Sequence, residues 1–271
     1  MNRLRIGAVS YLNTKPLVFG LQDNDDRFDL VFDLPSRLAD RLAARELDVA
    51  LVPVIEAITN PIYTIVSDAC IACRGPVRSV KLFSKVGPEK IRTLALDEGS
   101  RTSVALTKVI LKQRFNIQPE CCSLPIDDSW REANADATLV IGDRAMNSLN
   151  GDDLPFCVEL DLGEFWNRWT ELPFVFAVWA ALPGTELGLL DEALTQARDQ
   201  GLQNLDSICA NAAESYGLSS VECHEYLTKH LHFTLGSREK MGLSQFFDYD
   251  KQLSLIDQDL SLQFYDCKIT G

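Results

Sequence analysis

Short apolar runs alternate with amphipathic stretches through the first third of the chain. Residues 5–9 read as a strand, 13–21 as a helix and 28–33 as a second strand. The pattern repeats after Pro35 and Ser36, which open a helix whose Leu38, Leu42 and Ala43 share one face, and it ends in the apolar run 49–52 before Pro53. Strands that alternate with helices imply parallel βαβ units. Residues 63–66, 69–73 and 77–83 then read as a run of strands, broken at Gly87-Pro88-Glu89-Lys90, where a crossover between lobes is expected. A second series follows, with strand 93–96, helix 102–115, strand 138–141 and helix 162–169. Residues 174–181 are apolar throughout and read as a long buried strand that returns to the first lobe. From Glu186 onward the spacings Leu187, Leu190, Leu194, Ala197 and Leu202, Leu205, Ile208 predict amphipathic helices backing that lobe.

The expected fold is therefore α/β and two-lobed, with lobe I formed by residues 1–86 and 176–271 and lobe II by residues 87–175. Its cleft would collect the carboxyl ends of the strands, where open α/β sheets bind ligands. A length of 271 residues fits two lobes better than one core. With 46% hydrophobic and 24% charged residues the composition is that of a globular protein, without repeats or low-complexity tracts. The first residues lack the apolar core of an export signal, and no apolar run is long enough to span a bilayer, so a cytoplasmic location is expected. A net charge of −13 argues against a nucleic-acid partner, and an anionic ligand would need a local positive site. In such a compartment the eight cysteines should be thiols. The sequence leaves the oligomeric state open.

Four segments are candidates for chemistry. Residues 10–16 (Ser-Tyr-Leu-Asn-Thr-Lys-Pro) follow the first strand and suit a ligand loop, although Ser10 or Asn13 would equally serve as a helix cap. Ser100, Arg101, Thr102 and Ser103 open a helix after a strand, so free amides, the helix dipole and a guanidinium would together attract a carboxylate; a capping serine beside a solvated arginine is the plainer alternative. The turn Gly75-Pro76-Val77-Arg78-Ser79 brings a hydroxyl to a strand start, and Gly142-Asp143 lies at a strand's carboxyl end. Trp166, Trp169, Phe174, Phe176 and Trp179 read as core, with Trp169 and Phe174 placed to line the cleft as well. Cys70-Ile71-Ala72-Cys73 has no second pair, Cys121-Cys122 has no histidine beside it, and His224, His230 and His232 share no helical face, so no metal site is expected. Without a Walker loop or GxGxxG there is no support for a nucleotide cofactor.

The ordered motifs SYLNTKP, LDVALVP, GPVRSV, SRTSVALT, LVIGDRA and LPFVFAVWA, between about Ile6 and Met241, resemble the chorismate dehydratases of the futalosine route to menaquinone. The resemblance implies a type II periplasmic-binding-protein-like fold and chorismate as the small-molecule substrate, dehydrated to 3-[(1-carboxyvinyl)oxy]benzoate; the missing metal and nucleotide motifs lead to the expectation of no cofactor. It implies Asn13 and Ser79 as the catalytic residues and Ser100, Arg101, Thr102 and Ser103 as a carboxylate site. Ser10, Tyr11, Gly142, Asp143, Trp169 and Phe174 complete the expected substrate contacts. Cys73 and Arg74 depart from the family pattern. The related dihydroxynaphthoate synthases rely on a mid-chain histidine, and this chain has none before His224, which favours the dehydratase. The proton lost from the ring would go to a substrate carboxylate, to water, or to Glu56 or Asp143. A non-catalytic receptor for a small carboxylate on the same fold is the competing expectation.

Overall fold

The computed structural model describes residues 3–21, 27–146, 156–257 and 262–265. The strands are β1 (Leu4–Val9), β2 (Phe28–Asp33), β3 (Val49–Pro53), β4 (Thr64–Cys73), β5 (Val80–Ser84), β6 (Thr93–Asp97), β7 (Glu120–Leu124), β8 (Ala137–Ile141), β9 (Val158–Asp161), β10 (Phe174–Ala181), β11 (His232–Thr234) and β12 (Gln263–Phe264). The helices are α1 (Pro35–Ala43), α2 (Val54–Thr59), α3 (Arg101–Phe115), α4 (Asp143–Met146), α5 (Leu162–Thr170), α6 (Leu190–Gln203), α7 (Leu205–Ala212), α8 (Ser220–Glu225) and α9 (Ser237–Gln252).

Two sheets result. The first runs β11-β4-β10-β3-β1-β2, with β12 beside β4, and the second runs β7-β6-β8-β5-β9. As the strand and helix alternation predicts, β1 pairs in parallel with β2 and β3, and β6 with β7 and β8. Strand β10 is buried along its whole length between β3 and β4 and pairs with both in antiparallel fashion. It is the returning strand expected from its unbroken apolar run.

The position of the crossover differs from the expectation. Strand β5 pairs with β8 and β9, so the chain has already entered the second sheet by Val80, well before Gly87. The change falls between Cys73 and Val80, and the return precedes Phe174. Strand β5 is buried at every residue in either sheet context, so its hydrophobicity does not reveal which sheet it joins. The turn gives the better signal, because Arg78 adopts φ of 63° and breaks the extended path. Asp161 holds both connections together. Its Oδ1 accepts from the amides of Val77 at 3.0 Å and Glu164 at 3.0 Å, and its Oδ2 accepts from the amide of Arg78 at 2.7 Å.

Local details differ as well. The expected helix at 13–21 is a 3₁₀ segment, Leu12–Val18, and the two short strands expected at 63–73 are the single strand β4. The segment Leu12–Val18 is braced from behind by α6. A side chain on Gly201 would meet the Pro16 carbonyl oxygen at 2.2 Å, so only glycine lets α6 lie against this backbone.

Among the described residues no helix is long and apolar enough to cross a membrane. The cysteines at 70, 73, 121, 122, 157, 209 and 223 are free thiols, and Cys267 lies outside the described residues.

Candidate active site

A cavity opens where the carboxyl ends of the two sheets face one another, the usual place for a ligand in open α/β sheets. Its polar lining is Tyr11, Asn13, Ser79, Ser100 and Ser103, with Gly142 beside them. Apolar walls come from Val9, Pro35, Pro53, Ile71, Val77, Ile141 and Phe176. The first sheet supplies Asn13 and Tyr11 from the loop after β1; the second supplies Ser100 and Ser103 after β6 and Gly142 after β8.

Each residue is placed by local chemistry. Ser100 is the N-cap of α3, and its Oγ accepts from the Ser103 amide at 3.3 Å and lies 3.0 Å from the Ser103 hydroxyl. The two hydroxyls and the positive end of a 15-residue helix dipole therefore face the cavity together. Asp97, fully buried at the end of β6, accepts from the Gly99 amide at 2.9 Å, the Ile141 amide at 3.1 Å and Arg144 Nη2 at 2.6 Å. One carboxylate thus fixes both strand ends that form this wall.

Tyr11 crosses from the first sheet into a slot between two glycines of the second. A Cβ on Gly99 would lie 3.0 Å from the Tyr11 hydroxyl, and a Cβ on Gly142, where φ is +67°, would lie 2.8 Å from the ring. The hydroxyl is buried without a hydrogen-bond partner. Burial, followed by the nearby charges of Asp97 and Asp143, pushes the phenol's pKa well above the ordinary tyrosine range. Asn13 and Ser79 are almost fully buried; Asn13 Oδ1 accepts from Thr14 Oγ1 at 3.3 Å, and Ser79 Oγ donates to the Val77 carbonyl at 3.4 Å.

Tyr11, Asn13, Ser79, Ser100, Ser103 and Gly142 are thus brought together, whereas five other expected contacts lie elsewhere. Arg101 points away from the cavity, donating to Glu56 Oε1 at 2.9 Å and Asp40 Oδ1 at 2.7 Å. Half-burial opposes its charge, but these two carboxylates outweigh that and raise its pKa further. It is a strut from α3 to α1 and α2, not a ligand for an anion. Thr102 is fully buried and accepts from the Ile55 amide at 3.3 Å, tying α3 to α2. Ser10 is exposed, with its carbonyl accepting from the Tyr216 hydroxyl at 3.2 Å. Trp169 stacks on Tyr249 at 4.7 Å, away from the cavity, and Phe174 is enclosed by Trp166, Phe176 and Phe246.

Asp143 stands next to the lining residue Gly142 and accepts from the Leu12 amide at 3.5 Å. Burial pushes its pKa up to about 6, partly offset by that amide. Glu56 is engaged by Arg101 and, through Oε2, by Asn60 at 3.2 Å. Arg74 turns outward to Glu239 at 2.9 Å and His232 at 2.9 Å, and Cys73 packs under Gly163. Among the described residues no group of histidine, cysteine and acidic side chains is placed to hold a metal ion. Phe176 escaped the sequence reading because Phe174 and Phe176 share the spacing of one strand face, and only their depth along β10 separates core from cleft.

A profile of a family described as menaquinone biosynthesis matches residues 4–252. A chorismate dehydratase of Thermus thermophilus is 28% identical over 261 residues, covering 89% of this chain and 93% of that protein. A chorismate dehydratase of Campylobacter jejuni is 26% identical, with coverages of 92% and 98%. Among solved structures, an Archaeoglobus fulgidus protein superposes with a TM-score of 0.77 at 15% identity, covering 94% of this chain and 98% of that one. The periplasmic aliphatic sulphonate binding protein of Escherichia coli gives 0.62 at 14%, with coverages of 97% and 96%, and establishes the periplasmic-binding-protein fold. With its sheets, cleft and nearly full-length profile match in agreement, the chain belongs to the menaquinone biosynthesis family.

Proposed function

We propose that this chain dehydrates chorismate to 3-[(1-carboxyvinyl)oxy]benzoate, as the names of the Thermus thermophilus and Campylobacter jejuni relatives suggest. The observation that carries the proposal is the meeting of Asn13 and Ser79, one from each side of the crossover, in a cavity that also receives the two hydroxyls at the start of α3. Chorismate loses its C4 hydroxyl and its C3 proton as water. The ring becomes aromatic and keeps its enolpyruvyl ether, with no change in overall oxidation state.

The protein's work is then to hold a dianion, orient the leaving hydroxyl and keep water out. The α3 terminus with Ser100 and Ser103 receives one carboxylate; because Arg101 is engaged elsewhere, this relies on amide and hydroxyl donors. Asn13 and Ser79 hydrogen-bond at the reacting centre, and the buried Tyr11 hydroxyl gains a partner from the substrate. Glu56 is held by Arg101 and Asn60, so Asp143, next to the lining residue Gly142, is the better placed of these two carboxylates to take the C3 proton.

Turnover by Asn13→Ala and Ser79→Ala variants tests the assignment. Each should lose about 10²–10³-fold in kcat, the usual effect of deleting one preorganised donor. Full turnover by either variant would remove that residue from the chemistry.

A further inference from the structure

The turn that opens α3 faces two ways. Ser100 and Ser103 line the cavity, whereas the residues around them reach across the cleft to helices of the first sheet. The Gly99 carbonyl accepts from the Ser36 amide of α1 at 3.2 Å, Arg101 donates to Asp40 of α1 and Glu56 of α2, and Thr102 accepts from the Ile55 amide of α2. Assembling the hydroxyl pair of the site and bringing the two sheets together are therefore coupled.

The chain passes between the sheets at the crossover from Cys73 to Val80 and at the return before Phe174, and two loop connections of this kind can act as a hinge. The closed arrangement then holds only as well as its contacts across the cleft. The bonds from the amides of Ser36, Ile55 and Leu12, the last to Asp143, are long, at 3.2, 3.3 and 3.5 Å. Arg37 and Glu98 are exposed and approach only to 4.0 Å, a kind of pair that contributes little. Arg101 makes two charge-assisted bonds, 2.7 Å to Asp40 and 2.9 Å to Glu56, and the Glu56 side chain is only 13% exposed, which limits its screening by solvent. Of these contacts the two made by Arg101 are the strongest.

We propose that Arg101 is a closure latch: its ion pairs with Asp40 and Glu56 hold the two sheets together across the cleft and so position Ser100 and Ser103 over the substrate. Its part in turnover rests on the dehydratase reading, while the latch itself rests on the contacts. A ligand at the α3 terminus adds closing contacts of its own, so a weakened latch is compensated at saturation. The loss therefore falls on KM more than on kcat.

Arg101→Met keeps an unbranched apolar stem and removes the charge. Hydrogen exchange of the ligand-free protein reads closure directly, because the Ser36 and Ile55 amides are bonded across the cleft, whereas the Leu38 amide is bonded locally, to the Leu34 carbonyl at 2.9 Å. Exchange at Ser36 and Ile55 should be about tenfold faster in the variant, with Leu38 unchanged. With chorismate, KM should rise about tenfold and kcat stay within about threefold of wild type. Adding Asp40→Asn should raise KM little further, because both changes release the same contact. Unchanged exchange at Ser36 and Ile55 overturns the latch. So does a rise shared by Leu38, which would mean that α1 loosens while the sheets stay together. Faster exchange with unaltered KM overturns the positioning role. A wild type that leaves chorismate unchanged overturns the dehydratase reading, and the exchange rates still decide the latch.

Discussion

Removing the Asp97 carboxylate tests how the cleft wall is held. The side chain is fully buried, and it accepts from the Gly99 amide, the Ile141 amide and Arg144. Asp97→Ala strands two amides of the wall and takes away the guanidinium's carboxylate, although Arg144 keeps the Ile126 carbonyl at 2.6 Å. A buried amide without a partner costs about 1–3 kcal/mol, and a broken buried ion pair about 3–5 kcal/mol. These contributions share one carboxylate and do not add, so the expected loss is about 3–5 kcal/mol, a large part of the roughly 5–15 kcal/mol that holds a protein folded. Urea unfolding at neutral pH measures it. Asp97→Asn, which keeps one acceptor oxygen, should lose less, and the pair Asp97→Leu with Arg144→Met should recover part of the loss because no charge is left unpaired. Turnover per folded molecule should also fall in Asp97→Ala, because the Gly99-Ser100 turn loses its anchor. A loss below about 1 kcal/mol would refute the reasoning, since it would mean that other groups hold these strand ends.

Three further predictions concern pH and packing. Asp250 is fully buried with both oxygens unpaired, and burial pushes its pKa from 3.8 up to about 7. Below 3.8 the group is protonated in both states and contributes nothing; between 3.8 and about 7 the unfolded chain releases the proton that the folded chain keeps, so stability falls as pH rises and levels off above 7. Asp250→Asn should therefore gain on wild type by about 2–3 kcal/mol between pH 5 and pH 8 in urea midpoints; a constant difference would contradict the assignment. Gly142→Ala places a methyl against the Tyr11 ring at a φ of +67°; turnover should drop more than about tenfold, beside the roughly 1–2 kcal/mol of left-handed backbone strain, and unchanged turnover would show that Tyr11 is free to move. If Asp143 accepts the C3 proton it must be ionised, so kcat/KM should decline as pH falls below about 6 and the decline should vanish in Asp143→Asn. A profile flat down to pH 5 would assign the proton to water or to the substrate's own carboxylate.

The alternation of apolar runs with amphipathic helices was enough to read two α/β lobes and the return of β10, because these features depend only on local periodicity and burial. The sheet joined by β5 was not legible. A strand buried in the middle of a sheet looks the same in either lobe, and the deciding facts are the Arg78 backbone and the Asp161 hydrogen bonds. At the candidate site, Tyr11, Asn13, Ser79, Ser100, Ser103 and Gly142 lie in motifs at strand ends, and the fold brings them to one cavity. Arg101 was misjudged because a guanidinium at a helix start satisfies an anion from solution and a carboxylate from a neighbouring helix equally well. Asp40 and Glu56 are 61 and 45 residues away in sequence, and only the fold brings them close.

Incubation of the purified protein with chorismate, followed by chromatography and ultraviolet spectra of the products, bears most directly on the central claim. The account predicts that chorismate disappears and a benzoate bearing an intact enolpyruvyl ether at C3 accumulates. Unaltered chorismate, or release of pyruvate in place of water, would contradict it.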